Sequence, residues 1–355
     1  MIQWSDIEYL QRLGRPIHDV DLGALDGRGR VIDTLVASHV SWRGAGLNGS
    51  RLSGVTFVDC DLRGADLGDA VLDACSFTRC KLGDTRWENA RGNQLAFTDC
   101  DIADSNWRAS TLALSAISQC DLHRAGFVGA VWRRTVAAQC KLDGATFEQA
   151  AIEQSVFVEV DFRPVGIAGL TAQATVLRKA CFDGMDLHTV SLPRCLLEEA
   201  SFADADLRGV DLREANCRKA RFVRSDLRGT DLSRALLLDA VMEDADARAA
   251  TCENTIFQGA SLRRVRLAGA HAAGSVWDHC RLQEVDFSRA DLRYARFDHA
   301  TGSGIDLRRA NLAHGSHHNA RFSEMDTSRS RRTRLRGTSS ARLTAEARSL
   351  CLETP

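Results

Sequence analysis

Twelve cysteines and ten histidines stand in this chain of 355 residues. Thiols and imidazoles brought together could ligate a metal, pair as disulfides or serve as nucleophiles. Their spacing argues against all three. No Cys-x-x-Cys pair occurs, and His314, His317 and His318 form the one histidine cluster. Neither a Gly-rich phosphate loop nor a nucleophile elbow is present. Eight cysteines (Cys60, Cys75, Cys80, Cys100, Cys120, Cys140, Cys195 and Cys280) fall on multiples of five, and Cys217 and Cys252 sit two residues past such a multiple. The reactive residue types obey a register, so the elements that impose it must be read first.

Large apolar residues recur every fifth position from Leu47 to Leu312, as in Phe57, Leu62, Leu67, Leu72, Phe77, Leu82 and Trp87. Two residues before each stands a small or modest one: Ala65, Ala70, Cys75, Cys80, Ser105, Ala125, Ala205 or Ala290. A period of five matches neither the 3.6 of a helix nor the alternation of a flat strand. It describes a coil that turns a corner at each repeat. Residues two apart point the same way on a strand, so the small and large positions face an interior and their neighbours face out. Of the small positions from 45 to 325 and the large ones from 47 to 322, none carries Asp, Glu, Lys or Arg in a chain that is 26% charged. Cysteine at these positions reads as a small buried hydrophobe in a reducing compartment.

Copies such as Ala205-Asp206-Leu207-Arg208-Gly209, Ser225-Asp226-Leu227-Arg228-Gly229 and Cys60-Asp61-Leu62-Arg63-Gly64 resemble the pentapeptide-repeat family, over about residues 31 to 325. The resemblance implies an all-β fold, a right-handed quadrilateral parallel β-helix with four repeats per 20-residue coil. Stacking at that interval is visible in the sequence itself. Phe57, Phe77 and Phe97 form one column, Phe162, Phe182, Phe202 and Phe222 another, Trp87, Trp107, Phe127 and Phe147 a third, and Phe257, Trp277 and Phe297 rejoin the first. The 56 repeats centred from Leu47 to Phe322 make 14 coils. At about 4.8 Å per strand, that predicts a rod roughly 65 to 70 Å long.

The ends break the pattern. Ser5 with Glu8 matches a capping box, and Trp4, Ile7, Leu10 and Leu13 make an apolar stripe, so a short helix over 5–13 is expected to cover the first coil. The repeat is degenerate between Ile17 and Val40, with Arg15 and Arg30 on nominally inward positions. After Met325 it gives way to Thr327-Ser328-Arg329-Ser330-Arg331-Arg332-Thr333-Arg334-Leu335-Arg336, with a short helix expected from Thr344 to Leu352. The organisation expected is a cap at 1–16, the coil at 17–326 and an Arg-rich C-terminal tail at 327–355. In that tail Leu335, Leu343, Leu350 and Leu352 are candidate contacts for covering the last coil.

Charge is uneven along the chain. Residues 1–200 carry 20 basic and 26 acidic side chains and residues 201–355 carry 26 and 21, for a net charge of −1. Outward carboxylates repeat with the consensus, so pairs of them carry no catalytic signal. The expectations are no enzyme activity, no catalytic residues, no metal and no cofactor. The function expected is a protein–protein interaction scaffold or adaptor, with Arg329, Arg331, Arg332, Arg334 and Arg336 as candidate partner-binding residues. The resemblance adds two settings: an accessory of a bacterial secretion system such as type VI, or, as the alternative, a DNA-mimicking topoisomerase (gyrase)-binding protein. Near-zero net charge and the absence of inserted loops disfavour mimicry. A protein partner is expected, nucleic acid is disfavoured, a homodimer is admitted, and with no signal peptide or transmembrane segment the expected home is the cytoplasm.

Overall fold

A computed structural model describes residues 4–23, 25–157 and 159–352. The chain divides into two compact units, residues 1–177 and 178–355. Both are solenoids in which strand and bridge residues pair, in parallel, with those 20 positions on.

The first unit opens with α1, Trp4–Arg12. Trp4 and Ile7 are buried, whereas Leu13 is exposed. Arg30, which the register places inward, turns out to solvent, lies over the Trp4 ring and pairs with Glu8 at 3.7 Å. The helix therefore occupies the place a preceding coil would fill, which frees that position from the inward rule.

Two of the four sides of this unit are eight-stranded parallel sheets. One runs from Ile17–His18 to Val156–Phe157 and the other from Val31–Asp33 to Thr171–Gln173. The other two sides are held by single bridges such as Ser41↔Asp61 and Asp66↔Arg86. Corners are made by the last residue of each repeat, which takes a left-handed backbone: φ is 69° at Gly64 and 52° at Asp59. Glycine, asparagine and aspartate tolerate that region best.

The corners are of two kinds. At closed corners the small residue's N–H donates back three residues, as Ala65 does to the Leu62 carbonyl at 2.9 Å and Ala70 to Leu67 at 3.1 Å. Open corners, which follow the strands, lack that bond, and at four of them a side chain of the following coil supplies the acceptor. Leu95 N–H donates to Ser115 Oγ at 3.1 Å, Thr135 N–H to Ser155 Oγ at 3.1 Å, and Cys80 N–H to Cys100 Sγ at 3.4 Å. Alanine fills eight of the twelve closed corners from Ala45 to Ala150 and none of the open corners from Val55 to Ser155. Unpaired buried donors are costly, so a polar small side chain at an open corner stabilises its neighbour.

Aromatic columns fill the interior. Phe57, Phe77 and Phe97 stack at 4.7 and 4.8 Å, and Trp87, Trp107, Phe127 and Phe147 at 4.2, 5.8 and 4.7 Å. The indole N–H of Trp87 donates to Thr85 Oγ and that of Trp107 to Ser105 Oγ, two residues earlier in each case. Trp42 and Trp132, preceded at that spacing by Val40 and Ala130, have no partner for their N–H. Gly92 takes a large position; a Cβ there would lie 2.5 Å from Leu95 Cδ1, so the leucine at the neighbouring small position fills the space.

In the second unit one side is a six-stranded sheet, from Arg221–Val223 to Arg321–Asp326, and the other sides are bridges. Phe182, Phe202 and Phe222 stack at 5.1 and 5.2 Å, and Phe257, Trp277 and Phe297 at 3.9 and 5.9 Å. The coil continues beyond 326: Asn311 pairs with Arg331 and Ser316 with Arg336, and Arg329 and Arg334 keep the left-handed corner backbone. Backbone bonding sustains this last coil although its side chains leave the apolar pattern. The chain then enters α2, Ser340–Leu352, which begins earlier than Thr344; the side chains of Leu350 and Leu352 lie outside the described residues.

Candidate functional site

One recurring outward pair is matched inside the repeat that carries it. In Asp206-Leu207-Arg208 the carboxylate accepts the Arg208 backbone N–H at 3.1 Å, its Nε at 2.8 Å and its Nη2 at 2.5 Å. The same clip recurs at Asp61/Arg63, Asp211/Arg213, Asp226/Arg228, Asp246/Arg248, Asp291/Arg293 and Asp306/Arg308. Each guanidinium meets its carboxylate as a two-pronged fork. The Arg208 side chain thus holds the Asp206 carboxyl below the usual range, against the opposing effect of burial.

Corner residues one coil apart pair in a second way. Arg79 meets Asp59 at 2.7 Å, and Arg124 meets Asp104, Arg224 meets Asp204 and Arg264 meets Asp244 at 2.6 Å. The corner column of Arg289, Arg309 and Arg329 breaks this habit, for arginine follows arginine. Among the described residues no carboxylate lies within 4.0 Å of these three guanidinium groups. With Arg308 they line an open groove of about 660 Å³.

The five arginines singled out by sequence are all exposed but do not form one cluster. Arg329 extends the corner column, whereas Arg331 and Arg336 are themselves bridge positions, paired with Asn311 and Ser316. Arg332 takes a large position and lines, with Phe322, Met325 and Leu335, a cavity of about 70 Å³ at the end of the apolar interior. Arg334 shares its corner column with Tyr294 and His314, whose rings stack at 5.0 Å. Sequence reading missed Arg289 and Arg309; their spacing of 20 from Arg329 was the available signal.

Nor does the histidine cluster converge as a group of three. His318 is buried, and it meets His299 and Glu346 instead of His314 and His317. The nearest ligand atoms of His299, His318 and Glu346 lie within 4.8 Å of one another. Hydrogen bonding gives them a different role. Ser339 N–H donates to His318 Nδ1 at 3.1 Å, so the ring's proton sits on Nε2, facing Glu346 Oε2 at 3.3 Å. Asn319 likewise meets His299 Nδ1 at 3.1 Å, leaving Nε2 toward Glu346 Oε1 at 3.5 Å. Both nitrogens aimed at the carboxylate serve as donors, which leaves no lone pair for an ion there. Arg342 completes the latch, reaching Asp298 at 2.7 Å and Glu346 at 2.9 Å. Burial raises the affinity of Asp298 for a proton, but Ser316, Arg342 and the His318 N–H outweigh it and hold the carboxyl below its ordinary value. The latch fixes α2 to the coil. Among the described residues no helix is long and apolar enough to cross a membrane.

Comparison with known proteins agrees with the register. A model described as a pentapeptide repeat region matches residues 50–127, and one described as pentapeptide repeats (8 copies) matches residues 191–229, 225–264 and 266–301. Among solved structures, the plasmid-mediated fluoroquinolone resistance protein QnrB1 is 17% identical, with a TM-score of 0.36 over 52% of this chain and 89% of its own. HetL, a pentapeptide repeat protein involved in heterocyst differentiation regulation from Nostoc sp. strain PCC 7120, is 18% identical, with a TM-score of 0.23 over 79% and 97%. The A-module of the mannuronan C-5 epimerase AlgE4 from Azotobacter vinelandii is 12% identical, with a TM-score of 0.25 over 94% and 95%. No curated protein matches. Five-residue units in one register, a 20-residue coil and family models that together span more than half of the residues lead to one conclusion: the chain belongs to the pentapeptide-repeat family.

Proposed function

We propose that this chain is a non-catalytic scaffold that binds a protein partner through the arginines of its last coils. The observation that carries the reading is the contrast in pairing. In other corner columns Arg79, Arg124, Arg224 and Arg264 each meet a carboxylate one coil away, whereas Arg289, Arg309 and Arg329 stack like on like. Stacked like charges are destabilising on their own, and an acidic partner surface would relieve them while steering association. Arg331, Arg332, Arg334 and Arg336 extend the same basic end. The buried thiols, which suit a reducing compartment, support a cytoplasmic setting; the adaptor of a secretion system is one role such a scaffold could fill. The alternative, a DNA mimic that occupies a topoisomerase, needs a run of free carboxylates, and the clipped aspartates weaken it.

The test compares the tagged protein with its R289E/R309E/R329E variant in pull-downs from the native host. A partner that is acidic, salt-sensitive and lost with the variant supports the reading. Capture unaffected by the triple change moves the binding surface elsewhere on the coil. Inhibition of gyrase supercoiling by the wild-type protein would favour mimicry instead.

A further inference from the structure

One open-corner column of the first unit holds cysteine in five consecutive coils: Cys60, Cys80, Cys100, Cys120 and Cys140, with Val40 before it and Val160 after. Its thiols are equivalent by the coil repeat. Each sulfur contacts the carbonyl two residues earlier, at 3.4 Å for Cys60, Cys80, Cys100 and Cys140 and 3.2 Å for Cys120. All five are free, four are buried, and Cys140 is half-buried, so the column has one end nearer solvent.

The geometry points to a ladder of two-coordinate sites for a soft cation, copper(I) being the physiological one, each ion lying midway between sulfurs of adjacent coils. Neighbouring parallel strands are roughly 4.7 to 4.9 Å apart. Two-coordinate copper(I)–thiolate bonds are shorter than the four-coordinate zinc–thiolate bond of about 2.3 Å, so two set end to end span somewhat less than about 4.6 Å, and adjacent sulfurs need to draw together only slightly. Side chains stand roughly perpendicular to the sheet, so an ion on the line between neighbouring sulfurs meets each carbon–sulfur bond near a right angle, as a thiolate requires. Four sulfurs never converge on one point here, which disfavours tetrahedral zinc. Soft thiolates in line favour copper(I).

The backbone also prepares the sulfurs for charge. Cys80 N–H donates to Cys100 Sγ and Cys100 N–H to Cys120 Sγ, both at 3.4 Å. Hydrogen bonds to sulfur stabilise a thiolate in low dielectric. On binding, two thiols release their protons to solvent, two copper–sulfur bonds form, and the copper stays in the +1 state. The resulting single negative charge per bridge is what those N–H groups would answer.

Adjacency, not cysteine number, is the discriminating property. Copper(I) is supplied without oxygen as its acetonitrile complex, excess glutathione removes loosely held ions, and native mass spectrometry counts what remains. C60A/C140A keeps three adjacent thiols; C80A/C120A keeps three separated by two coils each. Circular dichroism and thermal melting check that both variants keep the coil. The expected result is one more retained copper in C60A/C140A than in C80A/C120A, and two more in the wild-type protein than in C80A/C120A. Equal retention by the two variants overturns the proposal. X-ray absorption of copper-loaded wild-type protein gives a readout independent of the variants: two sulfur neighbours per copper support the ladder, and three or four overturn it.

Discussion

The two units share one register yet build their sides differently. In residues 1–177 two sides are sheets, and the corners that follow their strands are filled by Cys, Ser, Thr, Val and Leu. In residues 178–355 one side is a sheet, and Val190 and Val210 sit at corners closed by their own N–H bonds to Leu187 and Leu207. A five-residue period therefore fixes what faces in. The corners that follow strands lack the N–H bond back three residues that closes corners such as Val190 and Val210.

The comparison can be broken most severely from the inside. Leu212 is fully buried. Leu212→Asp forfeits about 1.5 to 3 kcal/mol of burial and places a carboxylate among apolar neighbours, so soluble expression should be lost. Normal expression and melting would show that the second unit tolerates what its register forbids. A smaller effect is expected at Gly92 in the first unit. Gly92→Leu should destabilise by about 1 to 3 kcal/mol through overpacking, and adding Leu95→Ala should recover most of it in urea titrations. Failure of the second change to rescue would mean that the two positions do not share one space.

Indole partners offer a test of equivalence. Ser105 serves Trp107 at 2.8 Å in the first unit, and Ser275 serves Trp277 at 2.7 Å in the second. Ser105→Ala and Ser275→Ala should each cost about 1 to 3 kcal/mol by leaving an indole N–H unpaired, whereas Ala130→Ser should gain about 1 kcal/mol by giving Trp132 a partner. Unequal losses, read from chemical denaturation, would separate the two interiors.

The latch on α2 turns on Asp298, whereas α1 meets its coil through Glu8 with Arg30. Because the folded Asp298 carboxyl binds its proton more weakly than an unfolded one, its contribution is present above an ordinary carboxylate pKa of about 4 and fades as pH falls through the lower folded value. Arg342→Ala should move that loss to higher pH, followed by hydrogen exchange of α2. Smallest of all, Arg213→Ala removes an exposed clip on Asp211 and should shift the melting free energy by no more than about 0.5 kcal/mol.

The sequence made the interior legible because one rule, no charge on two positions in five, was repeated dozens of times. It also exposed the aromatic columns, since residues 20 apart must meet. Corner type was not legible from the period alone. The five cysteines 20 apart read as substitutes for alanine, although they occupy the one kind of corner where alanine is absent from Val55 to Ser155. The last coil looks like a tail in the sequence because Arg332 stands on a large position; the bonds that hold it, Asn311 with Arg331 and Ser316 with Arg336, belong to the backbone and leave no mark on side-chain type. The contact of Arg342 with Asp298 spans 44 residues and a change from coil to helix, so no local spacing announces it.

The Asp-x-Arg clip has a consequence for how such a chain can change length. A repeat of the form Ala-Asp-Leu-Arg-Gly brings one negative and one positive charge and joins them to each other, so it is an electrically neutral tile. Duplicating or deleting four such tiles would add or remove a coil while leaving the field felt by a distant partner nearly unchanged. Growth by copying is then decoupled from recognition, and selection can act on the few copies, such as those bearing Arg289, Arg309 and Arg329, whose charge is left over.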